Sequence, residues 1–349
     1  MMKKIFGIMA AALLLCVAAC TEKEDGPDVK PEQRYENPRY LAAADGKVYV
    51  SCYSPTSVLR IDTATSKVEA VCRLGHYNPE GMVIEGGRLF VVSSWIADEV
   101  GNPVYDDKVY VVDLATFAVE TTVTVGLNPQ RILSLGDGRL IVNYNGDYND
   151  VAAGSAIIDA NSLTVTQTGI EMTSMCVADG MVYGYNAPYG SGVMEFFSYD
   201  PSNGQQQPIL GGATISGNPY SISMIDGDIY VTTATYNANG DVYRFAGTGS
   251  QLWRSEAGVY ASKVVPVGDG TAYVLNEGSW GGNNASLSRV ELATGNITNG
   301  VFAAANSRGL GDVAQDIIVY GTKAYIAVSF SNTVEVVSVS DNKAKQIKL

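Results

Sequence analysis

One short pattern recurs seven times along this chain and restricts its fold more than any other feature. A tight turn containing Gly is followed by a hydrophobic residue, an aromatic or aliphatic anchor and another apolar residue. It reads DGKVYV, GGRLFV, DGRLIV, DGMVYG, DGDIYV, DGTAYV and GTKAYI. The anchors are Tyr49, Phe90, Ile141, Tyr183, Tyr230, Tyr273 and Tyr325, spaced 41 to 52 residues apart. Five of the seven turns are Asp-Gly, a strong short hairpin signal because both residues tolerate positive φ.

Other marks keep the same phase. Asn37-Pro38, Asn78-Pro79, Asn128-Pro129 and Asn218-Pro219 each precede an anchor by 12 or 13 residues. Proline lacks an N–H and suits the first residue of a strand. Downstream, VLRIDTAT, VYVVDLAT, SAIIDANS, FFSYDPSN and LSRVELAT read as third strands, and KVEAVCRLG and AVETTVTVG as fourth strands. Four strands per unit of about 45 residues is the signature of a propeller blade. A sandwich or a two-domain β protein does not account for seven in-phase repeats. The expected fold is all-β, a seven-bladed β-propeller of four-stranded antiparallel blades over residues 39–349. The first and last blades are each expected to supply their own strands, so closure needs no strand exchanged between the termini, with residues 32–37 left as a segment free to pair there.

The start of the chain indicates an address. Residues 1–19 form a targeting segment, with Lys3 and Lys4 before an apolar run too short to span a bilayer comfortably. It ends in Val17-Ala18-Ala19-Cys20, which resembles a bacterial lipobox and makes Cys20 the expected lipidation site. Residues 20–38 are charged and hold three prolines, which suits a flexible tether. Glu22, Glu24 and Asp25 resemble the acidic export signal of surface lipoproteins in some Gram-negative anaerobes. The expected location is therefore the outer membrane, facing outward and held by lipid alone. The whole chain carries 23 Lys+Arg against 36 Asp+Glu, a net charge of −13. So negative a body repels phosphate backbones, and nucleic acid is not an expected partner.

In a propeller, the loops between second and third strands share a face with the connections between blades. Here those loops are long and varied, whereas the turns on the opposite face are short and uniform. Binding usually sits on the irregular face of a regular scaffold. Trp95, Tyr144, Tyr148, Tyr236 and Trp280 fall in these loops, with Tyr220 at the start of a blade and Asn283 among the surrounding amides. Rigid rings with polar handles suit a bulky, uncharged, hydrogen-bonding ligand, although any one Tyr is as apt to hold a loop on the scaffold. Arg39, Glu80, Gln130, Thr173, Tyr220, Ser262 and Gln315 are expected to ring the mouth of the central channel. That ring has no carboxylate pair with a His, so no catalytic residue, metal site or cofactor is expected.

Weaker signals point the same way. Asp98, Glu99, Asp106 and Asp107, and separately Asp147, Asn149 and Asp150, match no calcium-loop spacing and read as solvated turns. His76 is the sole histidine and has no identifiable catalytic partner. Cys52 and Cys72 lie on strands separated by a third, too far apart for a disulfide, and Cys176 reads as buried filler.

The blade pattern resembles the YncE-like seven-bladed propellers. The C-terminal part is more particular: Asn276-Glu277-Gly278, Asn284-Ala285-Ser286-Leu287 and Leu310-Gly311-Asp312-Val313-Ala314-Gln315 resemble the signature of a family of surface lipoprotein propellers. These include the BtuG-type proteins, which capture cobalamin and pass it to a TonB-dependent outer-membrane transporter. The resemblance implies a surface lipoprotein that captures a ligand, preferably a corrinoid, for such a transporter. The residues themselves suit a glycan equally, and a glycan-binding or protein-interaction propeller is the alternative.

Overall fold

The turns work as hairpins because their residues accept left-handed backbone. Asp45-Gly46, Asp179-Gly180, Asp226-Gly227 and Asp269-Gly270 all hold φ between +50° and +81°, as does the Gly86-Gly87 pair. Positive φ at both turn positions matches the right-handed twist of the flanking strands. This computed structural model describes residues 34–188, 193–210, 215–235 and 237–349. The targeting segment, Cys20 and Tyr236 lie outside the described residues.

The strands assemble into seven four-stranded antiparallel sheets, each formed from one repeat. The sheets are the blades of a seven-bladed β-propeller. Blade 1 runs from its inner strand at Glu36–Ala44 to its outer strand at Lys67–Arg73, and blade 7 from Ala314–Tyr320 to Ala344–Lys348. The inner strand of blade 1 starts three residues before Arg39. Asn37 explains this, since its amide donates to Asn332 Oδ1 of blade 7 at 2.9 Å and pins the chain. Among the described residues no strand passes between the terminal blades, and Leu349 N donates to Asn332 O within blade 7.

There is no single core. Seven apolar clusters each straddle one seam between neighbouring blades. In the second strand of blade 1, Val48 and Val50 pack toward blade 7 while Tyr49 packs toward blade 2. Side chains alternate across a strand, so burial on both faces makes the second strands almost continuously apolar. Six of the seven anchors are buried at 4% exposure or less, and Tyr183 is partly buried at the blade 4–5 seam. Cys176 packs there too, only partly buried.

The seams also carry a polar latch. In six of them, a cation on one blade donates to the carbonyl just past the third strand of the next. The pairs are Arg60 with Leu114, Arg88 with Ala160, Arg139 with Pro201, Arg244 with Leu292, Arg289 with Val339 and Lys323 with Thr63. Among the described residues, one α-helix interrupts the pattern. Helix α1 (Val301–Asn306) lies in the connection from blade 6 to blade 7 and buries Phe302 in their shared cluster.

Candidate functional site: the channel mouth and its aromatic rim

The inner strands bring the ring residues together through a repeated irregularity. In blades 3, 5, 6 and 7 the pairing with the second strand skips one residue, and the surplus residues are Gln130, Tyr220, Ser262 and Gln315. In blades 1 and 2 the same shift contains Arg39 and Glu80. A bulge re-aims a side chain that a regular ladder would hold against a neighbouring sheet. Blade 4 pairs without a shift, and its Thr173 stands exposed, accepting from Ala187 N.

A hydrogen-bonded network links three of these side chains, Arg39, Glu80 and Gln315. Arg39 Nε contacts Glu80 Oε2 at 3.2 Å, and its Nη1 donates to Gln315. The Tyr53 hydroxyl also donates to Glu80, while Tyr53 lies under the Arg39 guanidinium at 4.9 Å. Across the mouth, Tyr220 donates to Glu277 Oε2 at 2.6 Å and meets Tyr260 edge-on. One residue deeper, Asp316 accepts from Lys263 Nζ at 2.7 Å and from Leu41 N at 3.0 Å, tying blades 6, 7 and 1 together. Gln130 turns back on Asn128, donating to its Oδ1 at 2.6 Å.

Burial sets the electrostatics. It raises the Glu277 carboxyl above the ordinary range, against the opposing effects of Tyr220, Arg39 and Arg131. It pushes the Tyr220 hydroxyl well up, helped by the Glu277 charge and hydrogen bond. For Arg39, burial works against the charge, but Glu80, Tyr53, Tyr40 and Glu277 more than offset it. Arg39 and Glu80 thus form a matched pair at the mouth, and the Tyr220 hydroxyl stays protonated at neutral pH.

Sequence reasoning placed Gln130, Tyr220 and Gln315 here but missed Tyr53 and Glu277 as site residues. Each lies four residues beyond its blade's anchor, at the end of the second strand, so the repeat phase itself carried the signal. It also missed Tyr40, Arg131, Lys263 and Asp316, which follow the ring residues of their blades by one.

The aromatic residues of the long loops divide into two groups. Trp95 and Tyr105 face each other in a small hairpin, Trp95–Ala97 with Pro103–Tyr105, inserted where an irregular loop was expected. Tyr105 meets Tyr148 of blade 3 edge-on, with centroids 6.2 Å apart. Tyr148 is 67% exposed and accepts from Asn145 Nδ2 at 2.9 Å. On the other side, Trp280, 56% exposed, meets Phe330 of blade 7 at 6.2 Å. Asn283 is exposed beside it, in left-handed backbone.

Tyr144 does not join either group. Its ring lies where a Cβ on Gly126 or Gly154 would stand, and its hydroxyl bonds Gln167 on the outer strand at 2.7 Å. It packs the blade rather than the rim. The acidic loop residues act as turn caps: Asp98 accepts from the Val100 and Asn102 amides, and Asp147 from those of Asn149 and Val151. Asp107 pairs with Lys108. His76 is exposed, edge-on to Tyr77. A recess of about 240 Å³ between blades 3 and 4, lined by Arg139, Asp159, Thr166 and Tyr199, is remote from both aromatic groups.

No family model matches the chain, and no curated protein matches it in sequence. Among solved structures it is similar to the hydrazine synthase of Kuenenia stuttgartiensis, at 13% identity and a TM-score of 0.60, covering 93% of this chain and 99% of that one. It is also similar to an uncharacterized protein of Listeria monocytogenes EGD-e, at 9% identity and 0.54, covering 94% and 98%. The computationally designed Ika8 protein aligns at 9% identity and 0.55, over 89% and 83%. Likenesses this distant show the propeller fold and nothing of activity.

Proposed function

We propose that this protein is a lipid-anchored propeller, held through Cys20 on the outer face of the outer membrane, that captures a bulky ligand and passes it to a TonB-dependent transporter. One observation carries the capture reading. The groups Trp95–Tyr105–Tyr148 and Trp280–Phe330, with Tyr148, Trp280 and Phe330 exposed and Trp95 and Tyr105 partly buried, lie on the same face, at blades 2–3 and 6–7, on opposite sides of the polar mouth. Exposed rings flanking convergent amides and hydroxyls suit a ligand with a broad apolar face and a hydrogen-bonding rim. A corrinoid has that shape, and the signature around Asn276-Glu277-Gly278 favours it. A glycan is the second reading, because Tyr148 and Trp280 stand apart and each could stack on a separate sugar ring.

Calorimetry with cobalamin, cobinamide and host glycans tests this directly. Loss of a central ring, as in Tyr148→Ala or Trp280→Ala, should cost about 2 kcal/mol, roughly a thirtyfold loss of affinity. Binding of a neutral ligand should change little with salt. Absence of heat with both corrinoids would remove that ligand class, and glycans would then be tested with the same variants. Indifference of every ligand found to all rim variants would rule out this face.

A further inference from the structure

Arg131 is the exception among the arginines. Every other described arginine that is not fully exposed has a carboxylate within 3.2 Å. Arg131 is partly buried, yet among the described residues its guanidinium has no carboxylate partner at ion-pair distance. Its guanidinium lies over the face of Tyr40, 5.9 Å from the ring centroid, and feels the charges of Asp316 and Glu277 only beyond ion-pair distance. Leaving a partly desolvated cation unpaired is unfavourable unless something else meets it.

Its position is as telling as its lack of a partner. Arg131 belongs to blade 3 and Tyr40 to blade 1, so they meet inside the channel, past blade 2. At the matching position blade 2 has Gly81, which places no side chain between them. The acceptors around this point are already engaged. Asp316 takes Lys263 and the Leu41 amide, Glu80 takes Arg39 and Tyr53, and Glu277 takes Tyr220. The donors are not. Among the described residues, the Tyr40 hydroxyl has no acceptor, and Gln315 uses only its carbonyl, for Arg39, leaving its amide nitrogen open.

We propose that the channel just below the mouth is a seat for one carboxylate or small oxyanion, held by Arg131 and completed by the Tyr40 hydroxyl. A guanidinium presents a planar fork that suits a two-oxygen anion, and a half-closed channel strengthens that contact relative to open water. The seat goes beyond ligand capture on the rim and does not depend on the rim rings. It can take an acidic group borne by a larger ligand or a free anion.

The test is titration of the purified protein with sodium acetate and, separately, inorganic phosphate at constant ionic strength, followed by thermal unfolding and calorimetry. A saturable rise in the unfolding midpoint is expected with at least one of them. A response to acetate alone identifies a carboxylate seat, and a response to phosphate an oxyanion seat. Arg131→Gln should weaken the effective anion by about tenfold or more, and Arg131→Lys by less. If Arg131→Gln fails to fold, Tyr40→Phe keeps the ring, removes the hydroxyl and should still show a severalfold loss. No saturable response to either anion overturns the proposal. So does an equal response from folded Arg131→Gln, or from folded Tyr40→Phe where the Gln variant does not fold.

Discussion

Glu335 puts a carboxylate where water does not reach. Its side chain is wholly buried on the third strand of blade 7, held by Arg308 at 3.0 and 2.6 Å and by Gln346 Nε2 at 2.7 Å. Such a pair adds little over apolar packing, but breaking it leaves an uncompensated buried charge. Arg308→Met should therefore lower stability by about 3 kcal/mol, the low end for a buried pair because Arg308 is partly exposed. Adding Glu335→Gln should recover part of that loss, as denaturant midpoints at unchanged slope would record. Glu277 gives a test with the opposite sense. Burial raises its pKa in the fold, so its proton is released on unfolding, and the fold is penalised as pH rises above the ordinary carboxyl range. Glu277→Gln should gain stability relative to the native protein at pH 8, and the gain should vanish near pH 4. A gain independent of pH would mean that Glu277 does not ionise against its surroundings.

Strands and turns were largely legible, because Asp-Gly hairpins and alternating apolar runs depend on neighbours in sequence. The bulges were not. One surplus residue leaves no mark in composition, yet it decides whether Gln130 or Gln315 faces the mouth or a neighbouring blade. The same limit hid the Trp95–Ala97 hairpin and the inward packing of Tyr144, both set by what lies across a gap. Gly81 shows how tightly the inner strands approach. A Cβ there would stand 2.8 Å from Gln130 O and 3.0 Å from Arg131 Cα, and neither is the end of a flexible side chain. Gly81→Ala should thus cost about 2 kcal/mol by overpacking. Because it pushes on the strand that carries both Gln130 and Arg131, it should also disturb whatever the mouth binds. Stability equal to the native protein in a melt would mean that the two strands can part freely.

At the scale of the whole ring, stability is distributed over seven seams, and a closed propeller is held no better than its weakest one. The count of blades was readable because each repeat must bury both faces against neighbours. The latch was not, because its cation sits at either of two places: two residues before the anchor in Arg88, Arg139 and Lys323, or opposite the anchor in Arg60, Arg244 and Arg289. Blade 4 has Met181 and Ser198 at these places, and no Lys or Arg occurs anywhere from 140 to 243. Among the described residues, the blade 4–5 seam accordingly has no latch. Amides at that seam should exchange with solvent earliest under native conditions, provided opening is local and not global. The deficit also indicates a repair. Ser198 pairs with the anchor Tyr183 as Arg60 pairs with Tyr49, and the carbonyl just past the third strand of blade 5 belongs to Ala246. In the six latched seams the acceptor is the corresponding carbonyl. Ala246 O already accepts from Gly249 N, but a carbonyl has a second lone pair to offer. Ser198→Arg should therefore stabilise the protein by about 1 kcal/mol, as expected of a charge-assisted hydrogen bond at a partly exposed site. It should also slow exchange at the blade 4–5 seam more than at any other. An unchanged exchange pattern would show that the latches of the other six seams follow from the fold and do not strengthen it.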